Sequence, residues 1–264
     1  MYETVELERR GAAAIIRLNR PQALNAWNHQ LGIELLDAVR AVAADDEVRA
    51  VCVTGSGRAF SSGADLREIA GRGLTPDGDV DVYTTLTEVY HPILTTLRRM
   101  PKPVVAAING PAVGIGCSLA LTCDLLIAAE SAYMLLAFVN IGLVPDGGAL
   151  ALIATRVGAG RATQMAMLGE RITASVLRRW GLVNDVLPDH EFEEYALHTV
   201  DRLAAGPTQS YAGSKRQINA WMYADLDEQL ELEARIQQEL AASADFRDGV
   251  TAFLEKRPPR FGGG

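Results

Sequence analysis

Residues 104–123 form a run of 20 residues without a charged side chain. That length would suffice for one membrane-spanning helix. However, Asn109-Gly110-Pro111 interrupts the run in its middle, and irregular backbone is not tolerated where it faces lipid. The run therefore predicts a buried strand over 103–109, a tight turn, and a buried helix over 115–122, all in the interior of a globular domain.

The rest of the first half alternates strand-like and helical segments. Apolar and β-branched runs predict strands over 4–8, 12–18, 48–54 and 125–129. Apolar residues at helical spacing predict helices over 28–42 and 83–100. This alternation indicates an α/β fold with a parallel-type sheet and crossover helices. The Gly- and Asp-rich segment 71–81 predicts a loop that is poorly ordered without ligand.

From residue 147 onward the pattern is almost wholly helical. The predicted helices cover 147–156, 159–168, 173–180, 190–205, 207–223, 225–243 and 245–255, with one short strand near 183–187. We assign residues 1–200 to the α/β core and 201–264 to a helical C-terminal region. No long linker separates the two, so we expect one structural unit. Because so many short helices cannot all pack on one small sheet, we expect the C-terminal region to mediate trimerisation.

Composition excludes several classes of protein. The chain has 25 Lys and Arg against 33 Asp and Glu, a net charge of −8, whereas a nucleic-acid binder usually carries a basic face. The three cysteines lie in apolar contexts and form no C-x-x-C pair, which argues against a disulfide scaffold or a metal site. The N-terminal residues lack the apolar stretch of a signal peptide. We therefore expect a cytoplasmic protein that binds no metal, nucleic acid or membrane.

Two glycine-rich turns each follow a predicted strand and run into a helix. The first contains Ser62-Gly63-Ala64-Asp65-Leu66 and the second Asn109-Gly110-Pro111-Ala112-Val113-Gly114-Ile115-Gly116. A helix start leaves backbone N–H groups unpaired, and these can hold an anion. Two such ends that converge would form an oxyanion hole from main-chain donors. The alternative is that the glycines only make tight turns. No P-loop, nucleophile elbow or H-E-x-x-H motif is present, and Gly55-Ser56-Gly57 lacks the rest of a dinucleotide fingerprint.

The order and spacing of several motifs resemble the crotonase (enoyl-CoA hydratase/isomerase) family. These motifs are Asn19-Arg20-Pro21-x-x-Leu24-Asn25-Ala26, Ala59-Phe60-x-x-Gly63-Ala64-Asp65-Leu66, Pro103-x-x-Ala106-x-x-Asn109-Gly110-x-x-x-Gly114-x-Gly116, Gly142-Leu143-Val144-Pro145-Asp146-Gly147-Gly148, Trp180-Gly181-Leu182-Val183 and Gly249-x-x-Ala252-Phe253-Leu254-Glu255-Lys256-Arg257. The resemblance covers residues 2–258. It implies a repeated ββα core, an acyl-CoA ligand with no cofactor beyond the coenzyme A moiety of the substrate, and a homotrimer or dimer of trimers.

The resemblance also implies positions for the site. The oxyanion hole would be formed by the backbone N–H groups of Ala64 and Ile115. Coenzyme A contacts would fall on Ala23, Leu24, Ala26, Ser62, Asp65, Leu66, Arg67, Phe253 and Lys256. Phe253 and Lys256 occupy positions that often reach the coenzyme A of a neighbouring subunit. For Lys256 a solvated helix charge is the alternative.

The departures from the family pattern concern catalysis. A family hydratase positions and splits a water with two glutamates, and those positions hold Ser118 and Phe138 here. Phe cannot move a proton, and Ser without a neighbouring base is a poor general acid, so a two-carboxylate hydratase mechanism is disfavoured.

Asp146 is the acid that remains in the right neighbourhood. It is expected at the start of a helix beneath the thioester, where N-capping is the alternative role. Its Pro-Asp-x-Gly motif is most similar to the branch of the 1,2-epoxyphenylacetyl-CoA isomerases and related double-bond isomerases. His91 is expected to be a packed or surface residue, and the alternative is that it lines the acyl pocket and assists an acid-base step.

Three hypotheses follow. The first is an acyl-CoA isomerase in which Asp146 is the acid-base group and the Ala64 and Ile115 amides stabilise a thioester enolate. The second is an enoyl-CoA hydratase with a non-standard water activator. The third is a non-catalytic protein that binds acyl-CoA or RNA, although the net charge argues against RNA.

Overall fold

Six strands form the main sheet within residues 2–68 and 74–264, the parts of the chain that the computed structural model describes. Their order is β1-β2-β3-β4-β6-β9, and all neighbours are parallel except the antiparallel pair β1 and β2. These strands are β1 (Val5–Arg10), β2 (Ala13–Leu18), β3 (Ala50–Gly55), β4 (Val104–Ile108), β6 (Leu125–Ala129) and β9 (Asp185–Leu187). The predicted α/β fold with crossover helices is confirmed.

The uncharged run folds as the sequence predicts. Every residue of β4 is buried, and so is every residue of the helix α4 (Ile115–Thr122) that follows the turn. Between them lies β5 (Ala112–Val113), which joins β7 (Tyr133–Leu135) and β8 (Ile172–Thr173) in a small second sheet. No helix in the described residues is both long and apolar enough to cross a membrane.

Helices cover the sheets and make up most of the chain after residue 147, so the predicted helical C-terminal region is confirmed. They are α1 (His29–Ala44), α2 (Val82–Thr85), α3 (His91–Arg99), α5 (Ala149–Val157), α6 (Ala159–Leu168), α7 (Ala174–Trp180), α8 (Asp189–Ala205), α9 (Thr208–Met222), α10 (Leu226–Ala241) and α11 (Ala244–Glu255). The division at residue 200 stays a prediction, as does trimerisation.

The helix predicted over 83–100 differs from the observed one in its middle. Between α2 and α3 the backbone forms a π-helix over Leu86–Tyr90. Pro92 lies in the first turn of α3 and has no N–H, so it cannot donate the hydrogen bond to Glu88 that an unbroken α-helix requires. The wider π turn accommodates this missing bond.

The loop predicted over 71–81 falls partly on residues 71–73, which lie outside the described residues. Beyond them the chain makes a turn in which Thr75 N donates to Asp79 O over 2.8 Å. That turn leads into α2, where the Gln238 side chain of α10 accepts hydrogen bonds from the amides of Val82 and Tyr83 at 2.9 and 3.0 Å. Helix α10 is therefore fixed beside α2, and this arrangement shapes the site described below.

A buried carboxylate ties the N-terminal segment to α1. Burial would raise the pKa of Glu34, but hydrogen bonds from Thr4 Oγ1, the amides of Glu3 and Thr4, and Gln30 outweigh it and lower that pKa to about 2. Because the folded-state value lies below the ordinary 4.5, the carboxylate stabilises the fold above about pH 4.5. That contribution is lost as the pH falls through about 2.

We therefore expect Glu34→Gln to lower the free energy of unfolding at pH 7 by about 1–2 kcal/mol, less than the full linkage value because the amide oxygen of Gln still accepts part of these hydrogen bonds. The difference from the wild type should shrink steadily as the pH falls from 4.5 toward 2. Urea titrations across that range measure it. A difference that is independent of pH would contradict the assignment, because a merely steric defect does not titrate.

Candidate active site

The two glycine-rich turns lie against each other. Ser61 N donates to Pro111 O over 3.0 Å, and Val113 N donates to Ser61 O over 2.8 Å. Gly63 and Gly114 have φ of 91° and 54°, a region that favours glycine. A Cβ on Gly63 would lie 3.0 Å from the Val113 main-chain oxygen, which is closer than an ordinary van der Waals contact. Absent side chains thus let the two turns meet. The second turn runs into α4 as predicted, whereas residues 64–68 after the first form a bridge and a turn, so the helix predicted there is not present in these residues.

The residue after each of these glycines has an N–H group that points to no acceptor in the described part of the chain. Within residues 2–68 and 74–264, no group accepts a hydrogen bond from the N–H of Ala64 or Ile115. Ile115 is the first residue of α4, so its amide also lies at the positive end of the helix dipole. Both residues line the same cavity, which has a volume of about 440 Å³.

Most of the cavity wall is apolar. The side chains include Leu66, Leu86, Val113, Leu135, Phe138, Ile141, Leu143 and Phe246. Among the described residues that line this cavity, Asp146 is the one carboxylate. An apolar pocket with a few convergent polar groups is the usual form of a small-molecule site.

Asp146 is buried, with 6% of its surface exposed. It was expected at the helix start, but α5 begins three residues later, at Ala149. The two intervening glycines, Gly147 and Gly148, both have positive φ and delay the helix. The N-cap position of α5 belongs to Gly148, so Asp146 is not the N-cap residue of that helix.

The Asp146 carboxylate points instead to another element. Its Oδ2 accepts a hydrogen bond of 3.0 Å from Nε2 of Gln237 on α10. Its main-chain oxygen accepts a bond of 2.7 Å from Ser118 Oγ on α4. Side chains from two helices thus hold this residue at the cavity wall.

Glu233 lies four residues before Gln237 on α10 and binds the same chain segment, residues 146–148. Its Oε2 accepts from Gly148 N over 3.0 Å, and its Oε1 lies 3.1 Å from His91 Nε2. Burial raises the pKa of Glu233, although the hydrogen bond with His91 opposes the shift. His91 is packed, as predicted, and does not line the cavity.

Comparison with known proteins identifies the chain. The model of the enoyl-CoA hydratase/isomerase family matches residues 8–264. The chain belongs to the enoyl-CoA hydratase/isomerase family. It is 44% identical to a probable enoyl-CoA hydratase of Rhodobacter capsulatus, with 99% of each chain covered. It is 38% identical to the 1,2-epoxyphenylacetyl-CoA isomerase of Escherichia coli, with 94% of each covered.

A solved structure agrees with this assignment. An enoyl-CoA hydratase from Mycobacterium avium subsp. paratuberculosis matches with a TM-score of 0.89 and 38% identity, with 99% of each chain covered. The predicted family resemblance and crotonase fold are therefore confirmed. The family is one of acyl-CoA enzymes. The names of the relatives include both reactions and leave the specific one to be determined.

The positions at which a family hydratase carries its two glutamates have other roles here. Ser118 is completely buried, and its hydroxyl proton is used in the hydrogen bond to the Asp146 main-chain oxygen. Phe138 lines the cavity with its ring. Neither side chain can supply the second carboxylate of the hydratase mechanism.

The positions implied for coenzyme A fall into two groups. Ser62, Leu66 and Phe253 line the cavity, and Phe253 is 59% exposed. The remaining positions do not line it: Ala23, Leu24, Ala26, Asp65, Arg67 and Lys256. Their role in binding stays a prediction.

Leu24 and Asp65 of the second group make contacts within the protein. The main-chain oxygen of Leu24 accepts from Ser62 N over 2.9 Å. The Asp65 carboxylate forms an ion pair with Arg20 at 3.2 Å, which matches a structural role for its side chain. Arg67 and Lys256 are exposed.

Many of the residues that line the cavity were not predicted from the sequence. Arg257 and Gln237 are among them. Gln237 occupies one position of a buried stripe on α10 that otherwise holds Leu230, Ala234 and Ala241. A polar residue within an apolar stripe of helical spacing was the available indication, and it would have marked Gln237 as unusual.

Proposed function

We propose that this enzyme isomerises the double bond of an enoyl-CoA, with Asp146 as the acid-base group. The observation that carries the proposal is the position of Asp146, the one carboxylate lining a cavity that the Ala64 and Ile115 amides also line, among the described residues. A carboxylate beside two main-chain donors is suited to removing a proton next to a thioester carbonyl.

The proposed reaction conserves all atoms. Asp146 takes a proton from C2 of a 3-enoyl-CoA, and the electrons move into the conjugated dienolate. The N–H groups of Ala64 and Ile115 donate to the enolate oxygen and lower the barrier to its formation. Asp146 then returns a proton to C4, which leaves the double bond between C2 and C3 and regenerates the base. Proton transfer of this kind requires no metal and no cofactor beyond the coenzyme A of the substrate.

Hydration is the second candidate, because the Rhodobacter capsulatus relative is named a probable enoyl-CoA hydratase. Addition of water would also require a group that activates the water, and neither Ser118 nor Phe138 can do so. Asp146 would have to perform this step alone.

The deciding experiment compares the two reactions in the wild-type enzyme. We expect isomerisation of 3-enoyl-CoA substrates to exceed hydration of crotonyl-CoA, and we expect α-proton exchange of saturated acyl-CoA in deuterated water. Hydration as the faster reaction would favour the second candidate. Binding of acyl-CoA with neither turnover nor exchange would indicate a non-catalytic binding protein. A panel of acyl groups in the exchange assay would also define the substrate.

We further propose that the protein forms a homotrimer or a dimer of trimers through its helical C-terminal region. Support comes from the family resemblance and from apolar side chains left exposed on α9, where Trp221 is 85% exposed beside Ile218 and Met222. Exposed apolar patches mark interaction surfaces. Sedimentation at micromolar concentration should give a trimer or hexamer, and a monomer would contradict the proposal.

A further inference from the structure

We propose that Gln237 is the positioning residue of Asp146 and holds its carboxyl group in both protonation states of the catalytic cycle. The inference rests on the proposed function of Asp146 as the acid-base group. It assigns to the C-terminal region, through α10, a direct part in arranging the site.

Although Gln237 borders the cavity, its burial and its bond to the carboxylate indicate that it acts through Asp146. Its side chain has 0% exposed surface, and its Nε2 donates to Asp146 Oδ2 over 3.0 Å. Gln237 interrupts the buried apolar stripe of α10, where Leu230, Ala234 and Ala241 occupy the neighbouring positions. An apolar side chain would suit that stripe better, because burying an amide is costly unless all of its polar atoms are bonded.

The other end of the amide remains unbonded. Among the described residues, no group donates a hydrogen bond to Gln237 Oε1. A buried acceptor without a donor lowers stability, so its presence at the site requires an explanation. A proton-carrying carboxyl group provides one. The ionised form of Asp146 needs a donor, which Nε2 supplies, whereas the protonated form is itself a donor and can bond to Oε1 after the amide rotates.

This pairing distinguishes glutamine from the other polar residues. Lys or Arg at this position would only donate and would favour the ionised carboxylate alone. A second carboxylate would repel the first. An amide stabilises either state, which suits a group that takes a proton in one step and returns it in the next.

Helix α10 contacts residues 146–148 through two side chains that are one helical turn apart. Glu233 binds Gly148 N and pairs with His91, and Gln237 lies four residues further on and bonds to the carboxylate. The first contact fixes the distance between helix and turn. The Gln237 amide is therefore held in place before substrate binds, which is what a positioning residue requires.

Other titratable groups surround Asp146 and must be considered in any pH experiment. The Glu233 and His91 pair lies behind the turn, and Tyr90, Tyr133 and Arg257 line the cavity. All of them are retained in the variants below, so a difference between variants reports on Gln237.

The test compares Gln237→Met and Gln237→Glu with the wild type, Asp146→Asn, and the matched control Gln229→Met. Gln229 is an exposed residue of the same helix. We expect Gln237→Met to lower kcat by about 10- to 100-fold, a typical result of misplacing a reacting group. The dissociation constant for acyl-CoA should change little, and Gln229→Met should behave as the wild type.

The pH profile separates positioning from packing. Gln237→Met loses the donor that stabilises the charged carboxylate, so the acidic limb of kcat/KM should move to higher pH. In Gln237→Glu two carboxyl groups at hydrogen-bond distance cannot both ionise easily, so the limb should move further, by about one pH unit or more.

Each remaining result overturns a specific statement. If Asp146→Asn abolishes turnover but the Gln237 variants keep kcat within about threefold, a range too small for lost positioning, the inference about Gln237 fails alone. If kcat falls in both Gln237 variants while the acidic limb stays in place, Gln237 is a packing residue and the inference also fails. If Asp146→Asn retains full activity, the proposed function fails, and the inference fails with it.

Discussion

Replacing Asp146 by Asn is expected to lower kcat for double-bond isomerisation by about 10²–10⁴-fold, the usual contribution of a positioned acid-base group. Asn has nearly the same shape and can still accept the Gln237 hydrogen bond, but it cannot take a proton. Acyl-CoA should therefore bind to the variant about as well as to the wild type. Stopped assays of a 3-enoyl-CoA, combined with calorimetric binding of the saturated analogue, measure both quantities.

The same variant discriminates between the two reactions. Crotonyl-CoA hydration that persists in Asp146→Asn while isomerisation is lost would show a separate water activator in the cavity. Equal activity of the variant and the wild type in isomerisation would refute the proposed role of Asp146. Asp46→Asn is a matched control. Asp46 is exposed near the end of α1, so this substitution makes the same chemical change away from the cavity.

The elements that position the site could be predicted because local sequence determines them. The turn at Asn109-Gly110-Pro111 divides an uncharged run into β4 and α4, and Gly114 precedes the first amide of α4. Such features depend on turn chemistry and on the missing Cβ of glycine, both of which can be read from a few neighbouring residues.

Other features depend on contacts between distant parts of the chain. Gln237 and Asp146 are separated by 91 residues, and their hydrogen bond exists only because α10 packs beside α2 and the segment that precedes α5. The start of α5 was displaced by two glycines with positive φ, a conformation that the Pro-Asp-Gly-Gly sequence permits but does not require. No local pattern states which distant helix will support a given turn.

The main-chain N–H of Ile115 can be removed by substitution with proline. Ile115 is the first residue of α4, a position at which proline is tolerated because its N–H has no partner within the helix. Gly114 precedes it with ψ of −127° and no Cβ, so the preceding residue does not obstruct the proline ring. Ile115→Pro should therefore remove one of the two proposed oxyanion donors while α4 remains folded, as circular dichroism would verify.

We expect Ile115→Pro to lower kcat by about 10²–10³-fold, the cost of one oxyanion-hole donor. Binding of acyl-CoA should weaken far less, because the carbonyl oxygen gains most of its negative charge only when the enolate forms. Ile115→Val is the matched control, since it removes buried side-chain atoms but keeps the N–H. If the Pro and Val variants have equal kcat, the Ile115 amide does not stabilise the enolate, and the oxyanion would have to be held by Ala64 together with another group.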